Sequence, residues 1–347
     1  MTEASSAMQL DTESLTAWMS ANVNGFSGPI TVEKFPGGQS NPTYQVQTAE
    51  ANYVLRRKPP GKLLPGAHAI EREFRIMSAL ESQGVPVPHC FALCEDDDVL
   101  GTPFFIMEKV EGRIFWNPTL PEVPEEQRAS CYESMGEVIA TLHNVDYVSA
   151  GLEDYGKPGN YFARQIGRWT KQYSQDEKAG RLSPMDKLCE WLPENIPDDG
   201  DGSTLVHGDY RCDNLIFHPS ESRVIAVLDW ELSTLGHPLA DFTYHLMAYR
   251  TPEGLPSGMG TADPLSVGLP SEAEYIAQYC RHTKRDSIEN IDYYIAFNMW
   301  RLAAIIHGIK GRMIRGNASS DAASGIVSHL ETLADCAWEQ AQKAGAA

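Results

Sequence analysis

Hydrophobic and polar residues alternate over short distances in the first third of the chain. Short runs rich in valine, isoleucine, threonine and aromatic residues are typical of β-strands. Such runs, separated by glycine, proline or polar residues, are ITVEKF (30–35), TYQVQT (43–48), NYVLRR (52–57), CFALC (90–94) and PFFIMEKV (103–110). The short connections between neighbouring runs predict antiparallel pairing, and therefore a small antiparallel sheet.

Apolar residues at helical spacing lie on both sides of the first strand-like runs. Residues 67–84 place apolar side chains three or four positions apart, at Ile70, Phe74, Met77 and Leu80. That spacing predicts an amphipathic helix, and Gly84 supplies its end. A short helix is also predicted over 11–23, with an apolar face formed by Leu15, Trp18 and Met19.

Helical periodicity dominates the chain after Gly112, most clearly over 129–145, 161–173 and 291–314. Strand-like runs interrupt it at STLVH, NLIFH and VIAVLD, and we expect these runs to form one small sheet. The pattern predicts an α+β fold with a strand-rich N-terminal lobe and a larger helical C-terminal lobe. We predict a helical extension at 1–27, an N-lobe at 28–110 and a C-lobe at 111–347.

Charge and composition narrow the classes of function. The 347 residues include 28 Lys and Arg against 47 Asp and Glu, which gives a net charge of −19. An excess of negative charge argues against nucleic acid or an anionic membrane as partner. No apolar run is long enough to span a bilayer. The acidic N-terminus does not fit a secretory signal, and the 7 cysteines lack metal-site spacing. We therefore predict a cytoplasmic location, and the oligomeric state stays open.

Two segments place polar residues at intervals that suit phosphoryl transfer. LVHGDYRCDN contains His207, Asp209 and Asn214, and VIAVLDWE brings Asp229 to the end of an apolar strand. Asparagine and aspartate oxygens are ligands suited to Mg²⁺. Asp209 could accept the proton of a hydroxyl nucleophile. The alternative is a buried polar turn in which His207 is an ordinary core histidine.

The order Asp-x4-Asn, followed by a second Asp, matches the kinase catalytic loop and metal-binding Asp. HGDYRCDN followed by LDWE resembles the aminoglycoside phosphotransferase and choline kinase superfamily. The segments GGQSNPTY, YVLRRKPPG, EREFRIM, GHPLAD and WRLAAIIHGIKGR more narrowly resemble the kinase-like domain fused to acyl-CoA dehydrogenases in animals. The resemblance covers about residues 28–338 and implies a bilobal protein-kinase-like fold that binds ATP and Mg²⁺.

The resemblance also implies roles for residues of the C-terminal half. It makes Asp209 the catalytic base and makes Asn214 and Asp229 the Mg²⁺ ligands. His207 would brace the loop, and Asp241 would hold the loop backbone. Arg211 lies in a position that suits contact with phosphate oxygens. Glu231 is either a second metal contact or an exposed turn residue.

In the N-lobe, the resemblance implies a nucleotide site. The candidate phosphate loop is PGGQSNPTY, with backbone or side-chain donors at Gly37, Gly38, Ser40 and Asn41. Arg56 takes the place of the usual strand lysine and would clamp phosphates, paired with Glu73 or, failing that, Glu71. The hinge would place backbone groups of Glu108 and Val110 at adenine, with the Met107 side chain beside the base.

The acceptor is predicted to be a small molecule with a hydroxyl group. Residues 280–315 carry seven Lys and Arg against three acidic residues. The candidate substrate-binding arginines are Arg164, Arg168, Arg301, Arg312 and Arg315. Arginine forks match carboxylates and phosphates, and the narrower resemblance implies a hydroxy acid or hydroxyacyl-CoA. A solvated basic face is the alternative.

Other functions stay open at this level. Asp229 and Asp241 are only twelve residues apart, which leaves no room for a regulated activation segment and argues against a protein kinase. The alternatives are an aminoglycoside or aminoalcohol kinase, a nucleotide-binding pseudokinase, and a metal hydrolase built on His207 and Asp209. The hydrolase lacks the additional ligands that would hold a metal without a nucleotide.

Overall fold

The structure is a computed structural model, and it describes residues 10–35, 41–61, 68–198, 202–255, 258–260, 263–316 and 321–347. Within these residues the strands are β1 (Thr31–Lys34), β2 (Thr43–Gln47), β3 (Asn52–Arg57), β4 (Cys90–Cys94), β5 (Phe104–Glu108), β6 (Thr204–Val206), β7 (Leu215–Phe217), β8 (Val224–Val227) and β9 (Thr234–Gly236).

The helices of the described residues follow the predicted order. They are α1 (Thr12–Asn22), α2 (Ile70–Leu80), α3 (Asp97–Leu100), α4 (Glu125–His143), α5 (Tyr161–Gln175), α6 (Ser183–Glu194), α7 (Pro238–Leu246), α8 (Glu272–Thr283), α9 (Ile291–Ile314), α10 (Asp321–Ser328) and α11 (Leu330–Lys343). Short 3₁₀ helices include Cys212–Asn214 and Trp230–Leu232. None of the helices described is both long and apolar enough to cross a membrane.

The chain divides into two compact units. The first contains residues up to Arg113, Ala150–Leu152 and Leu215–Leu232, and the second contains the rest. The three-part division predicted from sequence had assigned 215–232 to the C-lobe. Backbone hydrogen bonds explain the difference, because Arg113 exchanges two of them with Phe217 at 2.8 Å. The predicted lobe boundaries stay a prediction.

The first unit is built on an antiparallel five-stranded sheet in the order β1-β2-β3-β5-β4. Helix α1 begins at Asp11, whose carboxylate accepts hydrogen bonds from the N–H groups of Glu13 and Ser14. Its Leu15 and Met19 are buried against the sheet. Helix α2 buries one face, and the chain leaves its last turn at Gly84 with φ +78°. The predicted small antiparallel sheet is confirmed.

The prediction of one small sheet in the second half was wrong. β6 pairs with β9, whereas β7 pairs with β8 in a separate sheet. Residues 207–214 therefore do not join neighbouring strands of one sheet. They form a loop that ends in a 3₁₀ turn. The loop between β6 and β7 is long enough for the two strands to pair with different partners. The residue pattern within each strand does not specify which partner it takes.

Helices make up most of the second unit, and α9 is its longest. This helix has the predicted bounds, 291–314, and packs against α5, α7 and α11. Its first four turns are buried almost all round, with Trp300 and Phe297 fully covered. A helix that is apolar on every side belongs in a core. Helix α9 therefore forms the core against which α7 is held.

Candidate active site

The loop after β6 is anchored by a buried carboxylate on α7. Asp241 accepts hydrogen bonds from the backbone N–H groups of His207 at 2.7 Å and Gly208 at 2.8 Å. Burial works to raise the pKa of Asp241, but the hydrogen bond with His143 and the backbone hydrogen bond from His207 lower it. Asp241 therefore stays ionised and holds the loop backbone as the resemblance implied.

Asp209 lies in this loop with donors at both carboxylate oxygens. The hydroxyl of Tyr244 donates to Oδ1 at 2.7 Å. Nδ2 of Asn214 donates to the backbone carbonyl of Asp209 at 2.9 Å and lies 3.3 Å from Oδ2. The backbone N–H of Asp209 donates to Nδ1 of His207 at 3.2 Å. The loop thus holds a carboxylate in one orientation, with His207 as a brace from within.

Arg211 is already paired in the structure. Its Nε lies 2.9 Å from Oδ1 of Asp213, and a second guanidinium nitrogen contacts Oδ2 of the same carboxylate. A two-point pair of this kind is strong and directional. A phosphate contact by Arg211 would therefore share or displace Asp213.

Arg301 lies against the catalytic loop and not on an open surface. Its side chain is buried, and Nη2 donates to the carbonyl of Gly208 at 2.6 Å. The guanidinium carbon is 4.9 Å from the ring centroid of Tyr244. Arg301 shares an angular face of α9 with Arg312 and Arg315, as predicted, but the loop covers it whereas the other two are exposed.

The remaining candidate arginines do not gather at one point. Arg164 donates to backbone carbonyls of the turn that precedes α5. Arg315 pairs with Asp176 at 2.7 Å, and Arg168 is exposed on α5. A cleft of about 420 Å³ is lined by Arg168, Lys171, Gln172, Gln175, Asp176 and Arg315. The structure thus joins Arg168 and Arg315 and separates them from Arg301.

Arg56, Glu73 and Asp229 form an ion-pair network in the first unit. Nε of Arg56 lies 2.8 Å from Oε2 of Glu73, and Nη2 lies 2.8 Å from Oδ1 of Asp229. The predicted pairing of Arg56 with Glu73 is present. Glu71 instead pairs with Lys58 at 2.9 Å, so it is not the partner of Arg56. Asp229 has φ +63°, a left-handed conformation that aspartate tolerates better than most residues.

Burial is the largest single influence on the pKa of both Glu73 and Arg56, but its effect prevails only at Glu73. It raises the pKa of Glu73 to about 7, against the opposing charge of Arg56. Burial works to lower the pKa of Arg56, but the carboxylates of Glu73 and Asp229 raise it. Glu231 is exposed and adds a further negative charge nearby. The Arg56 guanidinium therefore stays charged between the buried carboxyl of Glu73 and the more exposed carboxyl of Asp229.

Asn41 supports Glu73 from a buried position. Its Nδ2 donates to Oε1 of Glu73 at 2.8 Å, and its Oδ1 lies 3.0 Å from Nδ1 of His68. A phosphate contact by Asn41 would have to replace one of these bonds. The other predicted phosphate-loop residues, Gly37, Gly38 and Ser40, lie outside the described residues.

The predicted hinge lies at the end of β5. The Met107 side chain is buried, and Val110 is half-buried. The backbone N–H of Glu108 donates to the carbonyl of His89 at 2.8 Å. An adenine contact at Glu108 would therefore fall to its carbonyl.

The donor chemistry of the two predicted metal ligands fits Mg²⁺. Asn214 uses its amide nitrogen within the loop, so its hard donor is Oδ1. Asp229 offers a carboxylate whose side chain is 37% exposed. Over the described ranges, His, Cys, Asp and Glu form no cluster of three or more that could hold a metal.

Sequence reasoning identified Arg211 but missed the other residues that line a small cavity beside the candidate catalytic loop. The lining residues are Trp116, Pro118, Arg211, Cys212, Asp213, Tyr244, His245 and Ala248. A larger cleft of about 590 Å³ shares Trp116 and Pro118 with it. The only sequence signal for Tyr244 is its position one helical turn after Asp241, which puts both on one face of α7. Trp116, 76% exposed, had no signal at all.

Known protein sequences that are similar to this chain point to one family. A sequence profile of the phosphotransferase enzyme family matches residues 31–285. Acyl-CoA dehydrogenase family member 10 of Mus musculus is 45% identical over 321 residues, covering 92% of this chain and 30% of that protein. Arabidopsis thaliana IBR3, described as a probable acyl-CoA dehydrogenase, is 43% identical over 92% of this chain and 41% of its own length. The chain thus spans well under half of these relatives.

Solved structures share the fold. A protein of Ralstonia eutropha, named as a candidate aminoglycoside phosphotransferase, is 48% identical with a TM-score of 0.89, covering 96% of this chain and 99% of its own. Choline kinase of Cryptosporidium parvum has a TM-score of 0.67 at 11% identity, covering 96% of both chains. A spectinomycin phosphotransferase in complex with ADP and spectinomycin has 0.65 at 12%, covering 95% and 99%. The predicted kinase-like fold is confirmed.

Proposed function

This chain belongs to the phosphotransferase enzyme family, and from that premise we propose that it is a Mg²⁺- and ATP-dependent small-molecule kinase that phosphorylates a hydroxyl group. The observation that carries the proposal is the held carboxylate of Asp209. Its loop backbone is fixed by Asp241 and its Oδ1 by Tyr244. Phosphoryl transfer needs a positioned base and charge stabilisation more than covalent chemistry from the protein.

Each residue of the proposed machinery has a separate task. Asp209 takes the proton of the acceptor hydroxyl. Arg56 supplies positive charge for phosphate oxygens, and Glu73 orients its guanidinium. Asn214 and Asp229 would hold Mg²⁺, which when bound neutralises phosphate charge. His207 and Asp241 keep the loop in its working conformation.

For the acceptor we propose an anionic hydroxy compound, and a hydroxyacyl-CoA in preference to a small hydroxy acid. Arg301 touches the loop beside Asp209, and Arg312 follows eleven residues later on α9. That separation corresponds to about 16 Å along a helix axis. A small hydroxy acid with its hydroxyl at Asp209 is too short to reach Arg312. An acyl-CoA carries its phosphates at the far end of a long arm and suits this spacing.

The test is a screen for acceptor-dependent ADP release by the full chain with Mg·ATP. The acceptors are hydroxyacyl-CoAs, free hydroxy acids, aminoalcohols and aminoglycosides. We expect release with hydroxyacyl-CoA and little with kanamycin. Nucleotide binding by thermal shift without ADP release for any acceptor would favour a pseudokinase. An aminoglycoside or aminoalcohol as best acceptor would keep the kinase and reject the proposed substrate.

The setting of the reaction is proposed as cytoplasmic. All seven cysteines are free thiols, which suits a reducing compartment. The net charge of −19 supports a small-molecule partner over nucleic acid or an anionic membrane.

A further inference from the structure

Helix α7 contacts the loop that carries Asp209 at two points, through Asp241 and through Tyr244. Asp241 binds the loop backbone through the N–H groups of His207 and Gly208. One turn later on the same helix, the hydroxyl of Tyr244 reaches the side chain of Asp209 and donates to Oδ1 at 2.7 Å. The same helix therefore sets both the path of the loop and the orientation of the carboxylate.

We propose that Tyr244 is a positioning residue that occupies Oδ1 of Asp209 and so reserves Oδ2 for the acceptor proton. The inference rests on the proposed kinase function. In the step it describes, the acceptor oxygen forms a bond to the γ-phosphorus while the bond from that phosphorus to the β–γ bridging oxygen breaks. The hydroxyl proton passes to Oδ2, ADP leaves with the bond electrons, and Tyr244 keeps its own proton throughout.

The surroundings of Tyr244 keep its hydroxyl protonated. Burial raises the pKa of Tyr244 far above its usual value, and the negative charge of Asp209 raises it further. A hydroxyl that stays protonated is a permanent donor, so the hydrogen bond to Oδ1 persists across the working pH range. The competing donor at the other oxygen is weaker, because Nδ2 of Asn214 lies 3.3 Å from Oδ2.

Arg301 fixes the ring of Tyr244 relative to the loop. Its guanidinium carbon lies 4.9 Å from the ring centroid, and its Nη2 donates to the carbonyl of Gly208 at 2.6 Å. Loop, ring and guanidinium therefore form one closed set of contacts around Asp209. Tyr244 also lines a small cavity of about 20 Å³ beside the loop, together with Arg211 and Asp213.

The experiment compares Tyr244→Phe with Tyr249→Phe in the full chain. Tyr249 lies five residues further on and donates its hydroxyl to the carbonyl of Pro270 at 3.1 Å, so it controls for loss of a buried hydroxyl. ADP release is measured with Mg·ATP and 3-hydroxybutyryl-CoA, and again with water as the only acceptor. Each variant is also made in an Asp209→Asn background, and thermal shift with Mg·ADP reports nucleotide binding.

We expect Tyr244→Phe to lower kcat about tenfold, the effect of losing one hydrogen bond to a charged group. The KM for ATP and the Mg·ADP shift should stay within about twofold of wild type, since the Tyr244 hydroxyl binds Asp209 and not a residue of the proposed nucleotide site. In the Asp209→Asn background the same change should add no further loss, because Tyr244 acts through that carboxylate. Tyr249→Phe should leave kcat unchanged.

Two results would overturn the inference alone: an unchanged kcat in Tyr244→Phe, or an equal tenfold loss in the Asp209→Asn background. The second result would assign Tyr244 to packing or to direct acceptor contact. A wild-type protein that binds Mg·ADP but releases no ADP with water or any acceptor would instead reject the proposed function, and this inference with it.

Discussion

Asp209 and Asp229 are both aspartates of the proposed centre, yet their contacts differ. Asp209 is held by neutral donors of its own loop and of α7, whereas Asp229 lies beside the charged Arg56. Replacing a proton-accepting carboxylate by an amide should lower kcat, whereas replacing a metal-binding carboxylate should weaken metal binding. This difference makes the two roles separable by experiment.

Asp209→Asn should keep Mg·ATP binding and lower kcat by about 10²- to 10⁴-fold, the usual contribution of a general base. Asp229→Asn should weaken metal-dependent nucleotide binding, because a carboxylate ligand is lost. The two variants are compared by thermal shift with Mg·ATP and by ADP release. Full turnover in Asp209→Asn would remove the assignment of Asp209 as the base.

Arg56→Ala should raise the KM for ATP and lower thermal stability. The substitution removes the phosphate contact and leaves Glu73 buried without its counter-charge. Arg56→Lys should rescue only part of the KM, because an ammonium cannot reproduce the two-directional fork that reaches Glu73 and Asp229. Lys58→Met, which breaks only the half-buried pair with Glu71, is the control. An unchanged KM in Arg56→Ala would point to another cation.

Helix α7 holds the loop that carries Asp209 through the carboxylate of Asp241. Asp241→Ala should lower the free energy of unfolding by about 3 kcal/mol, because two buried N–H groups lose a charged acceptor. It should also lower kcat, since the loop carries Asp209. The control is Asp263→Ala, which removes an exposed carboxylate that accepts from a single backbone N–H. Denaturant unfolding and ADP release are the measurements.

The stabilising effect of Asp241 should also depend on pH. The pKa of this carboxyl is lowered in the folded chain, so its contribution is complete above the unfolded value of 3.8. As pH falls through the lowered pKa, the contribution disappears. The difference in stability between wild type and Asp241→Ala should therefore stay constant from pH 7 down to about pH 4 and shrink as the pH falls below 3.8. A difference that grows on acidification would contradict an ionised Asp241.

For the whole molecule, net charge and local charge favour opposite substrates. A chain of −19 would attract cationic aminoglycosides, yet α9 exposes Arg312 in its last turn. Local charge acts at contact distance, whereas the distant charges are screened at physiological salt. We therefore predict that Arg312→Ala raises the KM for hydroxyacyl-CoA several-fold with no change for ATP, as measured by ADP release. Lys178→Ala is the control for loss of a basic side chain. Efficient kanamycin phosphorylation that survives loss of Arg312 would contradict the prediction.

The sequence alone determined the features that depend on short spacing. The helical periodicity of 291–314 gave α9 its bounds, because each turn repeats the same apolar pattern. The order of His207, Asp209 and Asn214 predicted a polar loop for the same reason, since the short segment 207–214 brings all three into contact. The pairing of Arg56 with Glu73 followed from the resemblance to known kinases, which carries long-range information that periodicity lacks.

Only the tertiary structure decided contacts between residues far apart in the chain. Tyr244 meets Asp209 across 35 residues, and Arg301 meets Gly208 across 93. Arg301 was predicted to bind substrate from its place on a helix face. The charge of a helix face does not show what covers that face, and here the loop at Gly208 lies against it. β6 and β7 were predicted in one sheet, although strand pairing depends on partners outside both strands. Local sequence specifies the elements, and the packing of α7 and α9 determines which side chains reach Asp209 and its loop.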